Sequence, residues 1–129
     1  MKKKIIFFIA TIFDKRDFQR FGFKIIEKRG YKVEAWDFSP WHKSDYFKNY
    51  KSPIPIKFDG HKLFKTRKQI EKQLSNLSTN DIIIDAWEII KHYPFIQDII
   101  RKKKIPFGYI FLGLIPEAKP ISNAKSTLM

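Results

Sequence analysis

Residues 5–9, Ile-Ile-Phe-Phe-Ile, form an unbroken apolar run of strand length. A strand with one face in water alternates polar and apolar residues. One that is apolar at every position must be covered on both faces, as in a parallel sheet with helices above and below. A second run of this kind, Ile-Ile-Ile at 82–84, lies between Asp81 and Asp85. Two such strands in one short chain restrict the fold to an α/β layer arrangement.

The segments around these runs supply the helices. After the first strand, Ala10 to Phe13 lead into a helix expected over 14–30, with Phe18, Phe21, Ile25 and Ile26 on one face at 3.6-residue spacing. Asp14 is placed to accept the orphan N–H groups of its first turn. Asp17 adds negative charge there, and Phe13 with Phe18 can close a hydrophobic staple. Gly30 supplies the left-handed residue that ends a helix. A strand comes next over 32–37, with Val33 and Ala35 on one face, then a turn over 38–42 containing Pro40. Residues 43–59 read as a long connection with one helical turn near 46–50, and 61–64 as a short strand at the sheet edge. Thr66 caps a helix over 67–77 whose Ile70, Leu74 and Leu77 keep helical spacing. Residues 81–85 are the next strand and 86–93 a connection. Pro94 opens a helix that buries Phe95, Ile96, Ile99 and Ile100, and the cations at 101–104 end it where they suit the dipole. A last strand is expected over 107–112. The fold class is therefore α/β: a three-layer, doubly wound parallel sheet of Rossmann-like type with about five strands in the order 3-2-1-4-5. One domain spans 1–113, and 114–129 read as a tail.

Composition removes several classes of function. With Cys 0, disulfides, thiolate catalysis and cysteine-ligated zinc are excluded. No apolar run reaches the roughly 20 residues needed to span a bilayer. The basic and apolar N-terminus resembles a signal peptide, but it lacks a small-residue cleavage site, and the run passes straight into Asp14 and an amphipathic helix. A net charge of +13 favours polyanions, whether nucleic acid, an anionic membrane surface or phosphorylated substrates. A lysine-rich coding bias with a solvated surface accounts for the same charge.

In an open parallel sheet, ligands bind beyond the carboxyl ends of the strands, near the point where the strand order reverses. The loops there carry Thr11, Asp14 and Arg16 after the first strand, and Asp37, Ser39, Trp41 and His42 after the second. Asp85, Trp87 and Glu88 come after the fourth, and Gly113 after the fifth. The first loop holds no glycine, so a dinucleotide fingerprint and a P-loop are both absent, and Asp14 would repel a phosphate. No NAD, FAD or ATP is expected at this site, and no cofactor elsewhere. The acidic pair of a response regulator is missing. Asp85 and Glu88 are candidates for a general base or for orienting a hydroxyl; the competing reading is that Asp85 ends a strand and caps the next turn of chain. His42, beside the aromatic Trp41, is the acid/base candidate, because imidazole next to an aromatic platform suits a sugar. Thr11, Arg16, Ser39, Trp41 and Trp87 are the candidate substrate contacts. His61 and His92 have no acidic partner in a ligand pattern, so no metal is expected. Trp36, inside a strand, reads as core.

The residues Lys4-Ile-Ile-Phe-Phe-Ile-Ala, Asp14-Lys-Arg-Asp17-Phe, Arg20-Phe-Gly-Phe and Gly30-Tyr-Lys-Val-Glu-Ala-Trp-Asp37-Phe-Ser-Pro carry a resemblance that Lys62-Leu-Phe-Lys, Asp81-Ile-Ile-Ile and Lys102-Lys-Lys-Ile-Pro-Phe-Gly108 continue. Over most of 4–113 the chain resembles the N-terminal domain of bacterial surface-polysaccharide (capsule or O-antigen) biosynthesis proteins related to GT-B glycosyltransferases. The resemblance is one of pattern and includes no catalytic signature. It implies an acceptor-side domain in a family whose second domain binds the nucleotide-sugar donor, with three alternatives open: the chain is a fragment, it works with a separate donor-binding chain or domain, or it no longer transfers sugars. It also implies a cytoplasmic location, peripheral at the inner face of the membrane, where the basic surface meets anionic lipid or a lipid-linked acceptor. The alternative is a non-catalytic basic module that docks on a membrane surface, a partner protein or, less favoured for want of any RNA-binding motif, nucleic acid.

Overall fold

The computed structural model describes residues 3–11 and 13–110. Five strands, β1 (Lys4–Ile9), β2 (Lys32–Asp37), β3 (His61–Leu63), β4 (Ile82–Asp85) and β5 (Phe107–Tyr109), form one sheet in the order β3-β2-β1-β4-β5. Every pairing is parallel. The expected doubly wound, Rossmann-like arrangement is thus present, with the two apolar runs side by side at its centre.

The strand period of two divides the core between the faces. Ile6, Phe8, Trp36 and Ile83 point to one side, where α5 (Arg67–Ser75) and α7 (Pro94–Lys103) cover them with Ile70, Leu74, Ile96 and Ile100. Phe7, Ile9, Val33 and Ala35 point to the other, under Phe13 and Phe23. Glu34 is buried on the first face, where its carboxylate accepts the Trp36 indole N–H at 2.9 Å and lies within 4.0 Å of Lys4, Lys32 and Lys62. Thr66 caps α5 through the Gln69 N–H, and Pro94 opens α7. Among the described residues no helix is long and apolar enough to cross a membrane.

Four local expectations change. The helix expected over 14–30 is two helices, α1 (Lys15–Arg20) and α2 (Phe23–Lys28), because Gly22 adopts φ 70° between them. That left-handed residue resets the helical phase. Phe23 is therefore buried, and Ile25, expected on the buried face, is 61% exposed. Asp14 does cap α1, and Phe13 and Phe18 meet through Phe23 and Phe58. The turn over 38–42 is a short helix, α3 (Ser39–His42), which Pro40 can enter because first-turn N–H groups need no intrahelical partner. The connection 86–93 contains α6 (Ile89–His92), whereas the helical turn expected near 46–50 is present as α4 (Ser44–Asn49). α5 stops at Ser75, two residues early, yet Leu77 is still buried. The last strand is described to Tyr109; positions 111–112, Gly113 and the tail at 114–129 lie outside the described residues.

Gly60 shows how closely the edge strand is docked. Its carbonyl accepts the Ala35 N–H at 2.9 Å, and a Cβ built on it would overlap the Val33 carbonyl oxygen and lie 2.9 Å from the Phe58 ring. The obstacle is β2 backbone, which cannot rotate away. Gly60→Ala is expected to cost about 1–3 kcal/mol through displacement of the turn before β3, measurable as a lower urea midpoint with an unchanged slope.

Candidate functional site

The carboxyl ends of β1, β2 and β4 converge where the strand order reverses, and the side chains there divide into three groups by what they contact. The first serves the backbone. Asp85, at the end of β4, is buried. One carboxylate oxygen accepts the N–H groups of Trp87 and Ile89, both at 3.0 Å, and the other accepts Ile90 at 2.8 Å. Ile89 and Ile90 are orphan donors of the α6 N-terminus and Trp87 belongs to the turn before it, so Asp85 caps that helix from four residues upstream and ties the turn to it. Burial raises its pKa above the ordinary value although the backbone N–H groups favour the anion. Asp14 has the same task at α1, accepting Arg16 N at 3.0 Å, Asp17 N at 3.3 Å and the Ser52 hydroxyl at 2.7 Å. Glu88 takes φ 55°, and its exposed carboxylate meets the Lys91 ammonium at 3.1 Å.

The second group is an aromatic and imidazole platform. Trp41 lies against Tyr93 with ring centroids 4.3 Å apart and meets Phe95 edge-on at 5.8 Å. His42 Nδ1 is hydrogen-bonded to the Tyr93 hydroxyl, across 51 residues of sequence. The His42 and His92 rings are 5.6 Å apart, and His92 Nδ1–H donates to the Glu88 carbonyl at 2.9 Å. The Lys43 ammonium sits 5.1 Å above the Trp87 ring. Burial lowers the His42 pKa from 6.5, helped by the charges of Lys43 and His92, and burial raises that of Tyr93. At neutral pH the pair is therefore an uncharged imidazole and a protonated phenol. In the tautomer whose Nδ1–H donates to the Tyr93 oxygen, His42 Nε2 is a free base.

The third group lies toward β3. Asp37 accepts the Ser39 N–H at 2.9 Å through one oxygen, while the other is buried without a hydrogen-bond partner, 3.8 Å from His61 Nε2, itself buried and without one. The Ser39 hydroxyl and the Trp87 indole N–H are also buried without partners. Among the described residues no three His, Asp or Glu side chains are grouped to hold a metal.

Of the candidates named from sequence, Trp41 and His42 share the platform, and Trp87 is joined to it through Lys43. Ser39 is buried at the start of the same helix. Thr11 is elsewhere, its hydroxyl 2.7 Å from that of Tyr46, and Arg16 is exposed beside Asp14. Sequence reasoning missed Tyr93, His92 and Lys43. A His-Tyr doublet directly before the Pro that opens a helix was the available signal, since a residue at that position is fixed by the helix and aimed back at the sheet. Comparison of the chain with protein-family models, with curated proteins and with solved structures finds no match.

Proposed function

We propose that the chain is the acceptor-side domain of a glycosyltransferase-like protein of surface-polysaccharide biosynthesis, and that the platform around Trp41 and His42 holds a sugar. The juxtaposition of Trp41, His42 and Tyr93 carries this reading. An aromatic face supplies apolar contact for the C–H side of a pyranose, and a neutral imidazole supplies a base for one of its hydroxyls. The polysaccharide context comes from the resemblance over 4–113.

In that reading an acceptor hydroxyl lies against His42 Nε2. Its oxygen attacks the anomeric carbon of a donor sugar held by a separate chain or domain. The proton passes to His42, and the bond from the anomeric carbon to the departing phosphate breaks. Tyr93 fixes the imidazole, Trp87 lines the approach, and Ser39 is buried at the start of α3. Asp85 and Glu88, committed to the α6 cap and to Lys91, hold the loop and leave the proton transfer to His42.

The test is amide chemical-shift mapping with a panel of methyl glycosides at millimolar concentration. Shifts should cluster at Trp41, His42 and Tyr93, and Trp41→Ala should weaken binding about tenfold, the loss of one stacking contact. Circular dichroism of the variant checks that the fold persists. Silence at these residues with every glycoside would remove the sugar reading. A second reading, a basic docking module, is favoured by the exposed Arg101, Lys102 and Lys104 at the end of α7. Salt-sensitive uptake onto anionic vesicles together with glycoside silence would select it.

A further inference from the structure

A groove separate from the platform opens beside the β1–α1 connection. Phe13, Phe47, Tyr50 and Ile56 line it, with Lys48 and Lys51 at its margin, and its volume is about 510 Å³. Its walls are held in place at several points. The chain at 52–55 is tied to the start of α1 by the Ser52 hydroxyl on Asp14, by Lys15 N–H on the Ile54 carbonyl at 3.0 Å, and by a bridge pairing Asp14 with Pro55. On the other side α4 is anchored by the Tyr46 hydroxyl on Thr11, and Tyr50 at its end is held against it by stacking on Tyr46 at 5.3 Å.

Two features define what would fit. The lining is apolar and its volume falls within the range of about 300–1,000 Å³ usual for small-molecule sites. Its charge has one sign: Lys48 and Lys51 are exposed, no carboxylate is among the lining residues, and neither lysine has an ion-pair partner among the described residues. Asp14, next to the lining residue Phe13 and bonded to the lining residue Ser52, is buried and accepts three hydrogen bonds. An anion at the rim therefore meets two exposed cations and no carboxylate among the lining residues, while an apolar body displaces water from the aromatic floor.

We infer that this groove binds a single-chain amphiphilic anion, its hydrocarbon against Phe13, Phe47 and Ile56 and its carboxylate or phosphate between Lys48 and Lys51. The inference is independent of the sugar reading, because the two sites share no residue.

Decanoate below its micelle concentration is the first probe, with decanol, hexanoate and inorganic phosphate as controls and anionic phospholipid vesicles as a separate arm, all read by amide shifts. Decanoate should move the resonances of residues 47–56 and leave those of His42 and Tyr93 in place. Decanol and hexanoate should each bind at least tenfold more weakly, and phosphate alone should leave the floor residues unmoved. The double variant Lys48→Glu, Lys51→Glu changes only exposed side chains and should weaken decanoate at least tenfold. Equal affinity for decanol, equal affinity in the double variant, no shift at 47–56, or a response to vesicles alone would each overturn the inference.

Discussion

Asp85→Ala is expected to destabilise the domain by about 3–5 kcal/mol. Three N–H groups, of Trp87, Ile89 and Ile90, lose their acceptor at once, and those of Ile89 and Ile90 are enclosed by the core. Each buried donor left unsatisfied costs about 1–3 kcal/mol, and partial access of water to Trp87 keeps the total below the full sum. Asp85→Asn should cost less, about 1–3 kcal/mol, because its amide oxygen can still accept from Trp87 and Ile89 while its NH₂ opposes Ile90. Urea unfolding decides the role of this residue. A group needed for chemistry alone would leave the midpoint unchanged in both variants.

The same residue gives a pH signature. Its folded pKa lies above the ordinary 3.8, chiefly because burial disfavours the charge. The folded state therefore holds this proton to higher pH than the unfolded chain does. The contribution to stability is complete below the unfolded value and is lost as pH rises through the folded one. Asp85→Asn removes that dependence, so the stability advantage of the wild type over the variant should shrink as pH is raised from about 4 to 7.

The fold was legible because its evidence is periodic. The runs at 5–9 and 82–84 dictated buried parallel strands, and Asp14, Thr66 and Pro94 marked helix starts that the structure keeps. Handedness then left few strand orders. What escaped was single-residue geometry. Gly22 could have been tolerated inside a helix, and only its positive φ moves Phe23 inward and Ile25 outward. The platform was half visible: Trp41 and His42 stand next to each other in sequence, whereas Tyr93 reaches them only through the crossover that places β4 beside β1. Asp85 presents the limiting case, since an acid ending a strand looks the same in sequence whether it moves a proton or caps a helix. The three N–H groups on its carboxylate show the capping role, which the sequence could not display.

Phe8→Ala should be as damaging as the loss of the Asp85 cap, about 3–5 kcal/mol. Phe8 is fully buried at the centre of β1, stacked on Trp36 at 5.6 Å and edge-on to Phe38 at 4.8 Å, with Phe38 in turn stacked on Phe64 at 5.1 Å. Alanine leaves a cavity under these rings, and aromatic groups on a sheet cannot collapse into it without moving backbone. Phe8→Leu retains most of the volume and should cost below about 1.5 kcal/mol. The damage should also reach the platform. Phe38 is the residue from which α3 starts, and its carbonyl accepts the N–H groups of Trp41 and His42 at 3.0 and 2.7 Å. Loosening Phe38 shifts both side chains relative to Tyr93. In Phe8→Ala, under conditions where it remains folded, the amide signals of Trp41 and His42 should broaden or move, whereas Phe7→Ala, on the opposite face of the same strand, should spare them. Equal disturbance by both substitutions would mean that the platform tracks global stability and is not seated on the Phe8–Phe38 contact.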